Sequence, residues 1–340
     1  MHRGKSTALI AGLAVLAMVM SRSVSADIDA WRAAGWKTDF SKSAVSFAEI
    51  LSGGPPRDGI PSIDSPIFKP AAKIADIGPN EPVIRLELQG VVRAYPLRVL
   101  TWHEIVNDTV AGRPVAVTYC PLCNSAVVFD RTVDGKPVEF GVSGLLRGSD
   151  MVMYDRATQS WWQQFSGEAI VGALTGKKLK MIPSRVESFS DYAANYPNGE
   201  VLVPSDPRIR DYGRNPYVGY DSRNAPYPFY TGDLPRQLNP MARVIVVRVG
   251  AAIHAMTLSY LRSQGEAEIH GVKLAWRPGV NSALDKGRIR DGIDVGAVTV
   301  VWAATNQPIV HDITFAFVVQ SFHPDVTVLT ESGPITLTPR

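Results

Sequence analysis

The chain has 340 residues, of which 45% are hydrophobic and 20% charged. That composition excludes wholesale disorder and allows one large domain or two ordinary ones. Its 28 Gly and 25 Pro favour a turn-rich fold over a long helical bundle. The formal charge of +3 resides in Arg3, Lys5 and Arg22, in a 26-residue leader without Asp or Glu. The neutral remainder gives no support for a nucleic-acid partner.

The leader reads as a signal peptide spanning 1–26. Arg3 and Lys5 precede the apolar run Ala8 to Met20, and Val24-Ser25-Ala26 supplies the small residues of a cleavage site. No Cys follows the run, and no later apolar stretch is long enough to span a bilayer. The expected mature protein starts near Asp27 and is periplasmic or extracellular, a compartment that permits disulfides.

Residues 27–75 read as a short helix within Ala30 to Leu51, anchored by Trp31, Trp36 and Phe47, and a loop from Ser52 to Pro70. A first half, 76–203, opens with alternating Val83, Leu86, Leu88, Val91 and Val92 around Gln89-Gly90, a hairpin signal. Pro96 starts a helix expected to reach about Asn107. Strands follow at Arg113 to Tyr119 and Ser125 to Arg131, then an Asp134-Gly135 turn and a strand and turn within Gly167 to Leu179. From 204 to 235 Pro and Tyr alternate in a long irregular arm, a length typical of binding loops or connections. The second half, 236–340, resumes with strand-like Val244 to Ala255, helix-like Met256 to Arg262, and an apolar strand-like run Thr314 to Phe322.

The second half looks like a copy of the first. At an offset of 157, Val115, Pro121, Asn124, Ser125, Ala126 and Arg131 face Val272, Pro278, Asn281, Ser282, Ala283 and Arg288. Asp155, Gln163 and Phe165 face Asp312, Gln320 and Phe322. Cys120 faces Arg277, Cys123 faces Val280, and His103 faces no His. The expected fold is therefore β-rich α+β, with two related halves joined by the Pro/Tyr-rich arm and a site built on the first half alone.

Cys120 and Cys123 are the only cysteines. As Cys-Pro-Leu-Cys after a strand they fit half of a metal site, a redox dithiol, or an inert disulfide closing a very small loop. The metal reading leads, because a redox pair usually starts a helix and here a strand follows. Two thiolates need further ligands. His103 lies on the apolar face of its helix and is the first candidate, against the plainer reading of a buried His bonded to a carbonyl. His323, at the end of an apolar run, is the second. Zinc and copper accept thiolate with imidazole. Glu104, Asn107 and Asp108 read as helix-end residues that could also support the site. Met151 and Met153 read as core. No nucleotide loop or nucleophile elbow appears, so no nucleotide cofactor is expected.

Tyr95-Pro-Leu-Arg-Val-Leu-Thr-Trp-His-Glu-Ile-Val-Asn-Asp108 and Thr118-Tyr-Cys-Pro-Leu-Cys-Asn-Ser-Ala-Val-Val-Phe-Asp-Arg131 resemble a bacterial and archaeal family catalogued only as a domain of unknown function, DUF3179. Phe140-Gly-Val-Ser-Gly144, Met153-Tyr-Asp-Arg156, Arg210-Asp-Tyr-Gly-Arg-Asn-Pro-Tyr217 and Phe322-His-Pro-Asp325 are similar to its motifs. The likeness covers about Ile60 to Leu329. It brings no reaction, substrate or cofactor, but implies that His103, Cys120 and His323 stand in characteristic motifs.

The leading expectation is an extracytoplasmic protein binding zinc or copper through Cys120, Cys123, His103 and His323. Its rivals are an enzyme, either a thiol-disulfide oxidoreductase or a hydrolase with Cys120 as nucleophile and His103 as base, and a noncatalytic module using the tyrosine-rich arm. The partner expected is a small ligand or another extracytoplasmic protein. Mass spectrometry of the exported protein should find the N-terminus at or near Asp27; an intact Met1 would contradict the leader reading.

Overall fold

Local backbone chemistry sets the first elements. A computed structural model describes residues 27–337; the signal-peptide expectation for 1–26 lies outside the described residues. Gln89 and Gly90 both take positive φ, 49° and 81°, the primed turn that matches strand twist. They join strands Pro82–Leu88 and Val91–Pro96. Pro96 then leads into helix Leu97–His103. The helix stops short of Asn107, because Glu104 turns to φ 59° and β-branched Ile105 and Val106 enter strand Ile105–Val110. That strand pairs with Arg113–Cys120, which pairs with Ser125–Asp130.

The described chain is β-rich. Five sheets of three to five strands and one two-stranded ribbon are joined by short helices, and the larger sheets are arranged like the blades of a five-bladed propeller. Near the N-terminus, helix occupies only 27–33. The rest of the expected helical stretch is irregular, apart from a single turn at Phe47–Glu49 and strand Ile50–Ser52. Trp31, Trp36 and Phe40 instead pack around buried Trp161, at centroid distances of 4.9, 5.3 and 5.4 Å.

The two halves share element order and register. In the first, Ile84 pairs with Tyr95 and Val186, and Ala94 pairs in parallel with Val201. In the second, Ile245 pairs with Met256 and Ile313, and Ala255 pairs in parallel with Val328. Helices Leu97–His103 and Leu258–Gln264 follow the two hairpins. Helices Phe189–Asn195 and Ala316–Phe322 hold equivalent places further on. The apolar run at Thr314 to Phe322 is therefore mostly helix, not strand. A run apolar at nearly every position carries neither period, so it reads alike either way.

The preceding hairpins and helices correspond at an offset of 161, as in Ile84 with Ile245 and Leu97 with Leu258, and the 157 offset fits only where strands Arg113–Cys120 and Val272–Arg277 end together before Pro121 and Pro278. Beyond that point it fails. Ser125 opens a strand, whereas Ser282 lies in a loop and the next strand is Ala297–Trp302. Asp155 and Asp312 likewise stand in unlike strands.

The first half alone carries an additional sheet, in the order Ile50–Ser52, Phe140–Arg147, Asp150–Asp155, Trp161–Gln163, Ala169–Val171. Its second and third strands slip register between Val142 and Leu145. Gly144 makes the slip possible: it takes φ 77°, and a Cβ there would stand 2.0 Å from the Pro55 carbonyl oxygen. Gly144→Ala should therefore lower stability by roughly 2–4 kcal/mol, from positive-φ strain and a backbone clash together. Urea denaturation measures it; a loss under about 1 kcal/mol would mean the loop after Ile50–Ser52 that carries Pro55 is free to shift.

Candidate metal centre

The strand pair Arg113–Cys120 and Ser125–Asp130 turns at Pro121–Asn124. The Cys123 and Asn124 amides donate back to the Cys120 and Pro121 carbonyls, both at 3.2 Å. Asn124 closes the turn at φ 51°, a conformation Asn tolerates well. The turn is also held from outside. Thr314 Oγ1 donates to the Cys123 carbonyl at 2.8 Å, and Asn124 Nδ2 donates to the Ile313 carbonyl at 2.8 Å. The Asp312 carboxylate accepts from Ser125 Oγ at 2.5 Å and from the Ala126 amide at 2.9 Å. Tyr220, fully buried, donates its hydroxyl to the Leu122 carbonyl at 2.9 Å. The second half and the tyrosine-rich arm thus grip the cysteine turn of the first.

Both cysteines are free and buried. The group that joins them is Asp150, on the additional sheet. Gly148 and Ser149 turn at φ 59° and 64°, and Asp150 begins the returning strand. One ligand atom each from Cys120, Cys123 and Asp150 lie within 4.8 Å of one another. Asp150 Oδ2 accepts from Gln163 Nε2 at 2.6 Å and the Phe165 amide at 2.8 Å, which fixes the carboxylate. Its Oδ1 is buried, with no nitrogen or oxygen donor, and the Cys123 thiol stands against the carboxylate. An unsatisfied buried carboxylate oxygen is costly, and a cation is the partner that would remove the cost. The Ser149 carbonyl stands 3.5 Å from Cys123 Sγ.

The electrostatics point the same way. Burial pushes both thiols up, Cys123 furthest, and lifts Asp150 to about 7. Glu104 is lifted to about 8 by burial and by the neighbouring Asp150 charge. Among the described residues neither carboxyl forms an ion pair. Four acids therefore share one apolar interior with no positive group to balance them, a donor set suited to a cation. Glu104 also holds the strained positive φ that ends the helix, a strain that buried functional positions often carry.

His103 stands elsewhere. Its Nδ1 donates to the Pro61 carbonyl and its Nε2 accepts from the Tyr212 hydroxyl, both at 2.8 Å, with the two rings stacked. Both nitrogens are used, and burial pushes its pKa down. It is outside the cysteine cluster, as the plainer reading had it. The reason is the helix end: His103 is the last helical residue, and the kink at Glu104 sends the chain back along the Cys-bearing strand. His323 is also outside the cluster. Its ring lies 5.6 Å from Phe165, beside a cleft between the halves. Met151 and Met153 are core.

Asp150 is the functional residue that sequence reasoning missed. Its only signal is an acid opening the apolar stretch Met151 to Tyr154. Glu104 was visible, but as a helix-end residue.

Fold and site together define a β-rich protein with a buried Cys-Cys-Asp cluster that can hold a metal ion. Residues 57–326, most of the chain, match the family model DUF3179, described as a protein of unknown function. The chain belongs to that family. No curated protein and no solved structure matches it. No helix of the described residues is long and apolar enough to cross a membrane.

His103 thus serves packing and hydrogen bonding. His103→Ala should lower stability by about 1–3 kcal/mol, the cost of orphaning the Tyr212 hydroxyl and opening a buried site. The metal content of the purified variant should equal that of the wild type; loss of metal with an unchanged melting curve would restore His103 as a ligand.

Proposed function

We propose that the protein is an extracytoplasmic metal-binding protein whose ion is held by Cys120, Cys123 and Asp150. The observation that carries the reading is the convergence of these three buried groups. Two thiolates and a carboxylate suit Zn²⁺ best. Cu(I) accepts the thiolates, but a hard carboxylate oxygen favours zinc. Three protein ligands leave a fourth position, and Glu104 is the nearby buried carboxyl able to serve an ion or its bound water. The exported location follows from the leader. The matching registers of the two halves favour an internal duplication in which only the first copy acquired the additional sheet, and with it Asp150.

The rival thiol enzymes draw less support. A Cys–His hydrolase needs an imidazole beside Cys120, and burial raises both thiols where a nucleophile needs a lowered pKa. The tyrosine-rich arm packs Tyr220 over the cysteine turn, which suits a cover better than an independent binding surface.

The test is titration of the mature chain, reduced and stripped of metal, with Zn²⁺ and Co²⁺. One equivalent should bind, with a thiolate-to-cobalt charge-transfer band. Cys120→Ser and Cys123→Ser should each abolish that band, and Asp150→Asn should weaken binding about 10- to 100-fold. Affinity should rise with pH, because binding must expel protons from thiols that burial keeps protonated. Zinc should raise the melting temperature of the wild type only. Absence of the band, or equal binding by the double Cys→Ser variant, would reject the proposal.

A further inference from the structure

A second, separate feature lies between the halves. A cleft of about 1160 Å³ runs between the additional sheet and the helix Ala316–Phe322, and its lining includes Arg248, His323, Lys180, Phe322 and Ile253. Arg248 projects from strand Arg243–Val249. Its guanidinium sits 4.8 Å over the Phe165 ring and gives Nη2 to the Phe165 carbonyl at 3.2 Å. Its Nη1 has no hydrogen-bond partner, and among the described residues no carboxylate pairs with it. Asp312 is the acid whose charge acts on this largely buried guanidinium, without an ion pair or hydrogen bond to it, so Nη1 is left without an acceptor.

His323, which also packs on Phe165, repeats the pattern. Its ring packs on the same phenyl group, and its Nε2 is buried without a partner. The Arg248 charge and burial hold it neutral near pH 7, with a pKa pushed down to about 4. A neutral imidazole with Nε2 protonated is a hydrogen-bond donor. Lys180, exposed on the rim, forms no ion pair either. The cleft's one carboxylate, Glu168, is taken by Lys178 at 2.9 Å. Phe322 and Ile253 add apolar wall.

We propose that this cleft is a binding site for a small organic oxyanion, its carboxylate or phosphate received by Arg248 Nη1 and His323 Nε2 and its apolar body lying along Phe322 and Ile253. A guanidinium fork beside a neutral donor, in an apolar setting, is chemistry that recognises a planar or tetrahedral oxyanion. The site draws on both halves.

The experiment is calorimetric titration of the mature chain at low ionic strength with two probes, benzoate and inorganic phosphate, beside NMR of the His323 ring. At least one probe should bind saturably at roughly millimolar concentration and shift the His323 resonances. Binding of benzoate alone assigns a carboxylate with an apolar body; binding of phosphate alone assigns a phosphate-bearing ligand. Arg248→Gln should weaken binding at least about 10-fold, the loss of a charge-assisted pair. If Arg248→Gln fails to fold, Lys180→Glu at the exposed rim replaces it, with a several-fold loss expected. No saturable binding of either probe, no shift at His323, or undiminished binding by the folded variant would each overturn the proposal.

Discussion

Four acids, Glu104, Cys120, Cys123 and Asp150, are buried close together, and among the described residues none of them pairs with a Lys or Arg. That confinement is the constraint around which the rest of the molecule is arranged. Folding such a group costs several kcal/mol per ionised member unless protons or a metal neutralise it. The surrounding structure resists relaxation. Gln163 and the Phe165 amide fix Asp150, while Thr314, Asn124 and Tyr220 fix the cysteine turn. A donor set held this way before an ion arrives gives affinity and selectivity that a flexible turn would not.

The arrangement also explains why two halves of like topology have unlike chemistry. Strand His311–Phe315 of the second half lies against the cysteine turn and contributes Asp312, the Ile313 carbonyl and Thr314 as a brace. The corresponding strand of the first half, Ser184–Ser188, sits in the same register beside its own hairpin. Asp150 comes from a sheet that only the first half has. The first half thus supplies the cysteines, the second half braces them, and the additional sheet supplies the carboxylate.

Much of this was legible in the sequence, for physical reasons that can be named. The hairpin at Gln89-Gly90 and the strands around Cys120 rest on short-range turn chemistry and period-two alternation. The cysteine pair was legible because two thiols two residues apart must lie close. Three things were not. His103 sits on the helix face expected to meet the cysteines, but a positive-φ residue, Glu104, ends that helix at once and leaves the imidazole facing Pro61 and Tyr212. Asp150 is carried to the site by a hairpin register that local sequence does not encode. The run Ala316–Phe322 is helical because packing on both sides removes any period.

The measurement that tests the central claim most directly is X-ray absorption at the zinc edge on the mature chain loaded with one equivalent. The account predicts a shell of two sulfurs at about 2.3 Å and oxygen at about 2.0–2.2 Å, without the outer scattering of imidazole rings. A shell of nitrogen and oxygen alone, or clear imidazole scattering, would contradict it.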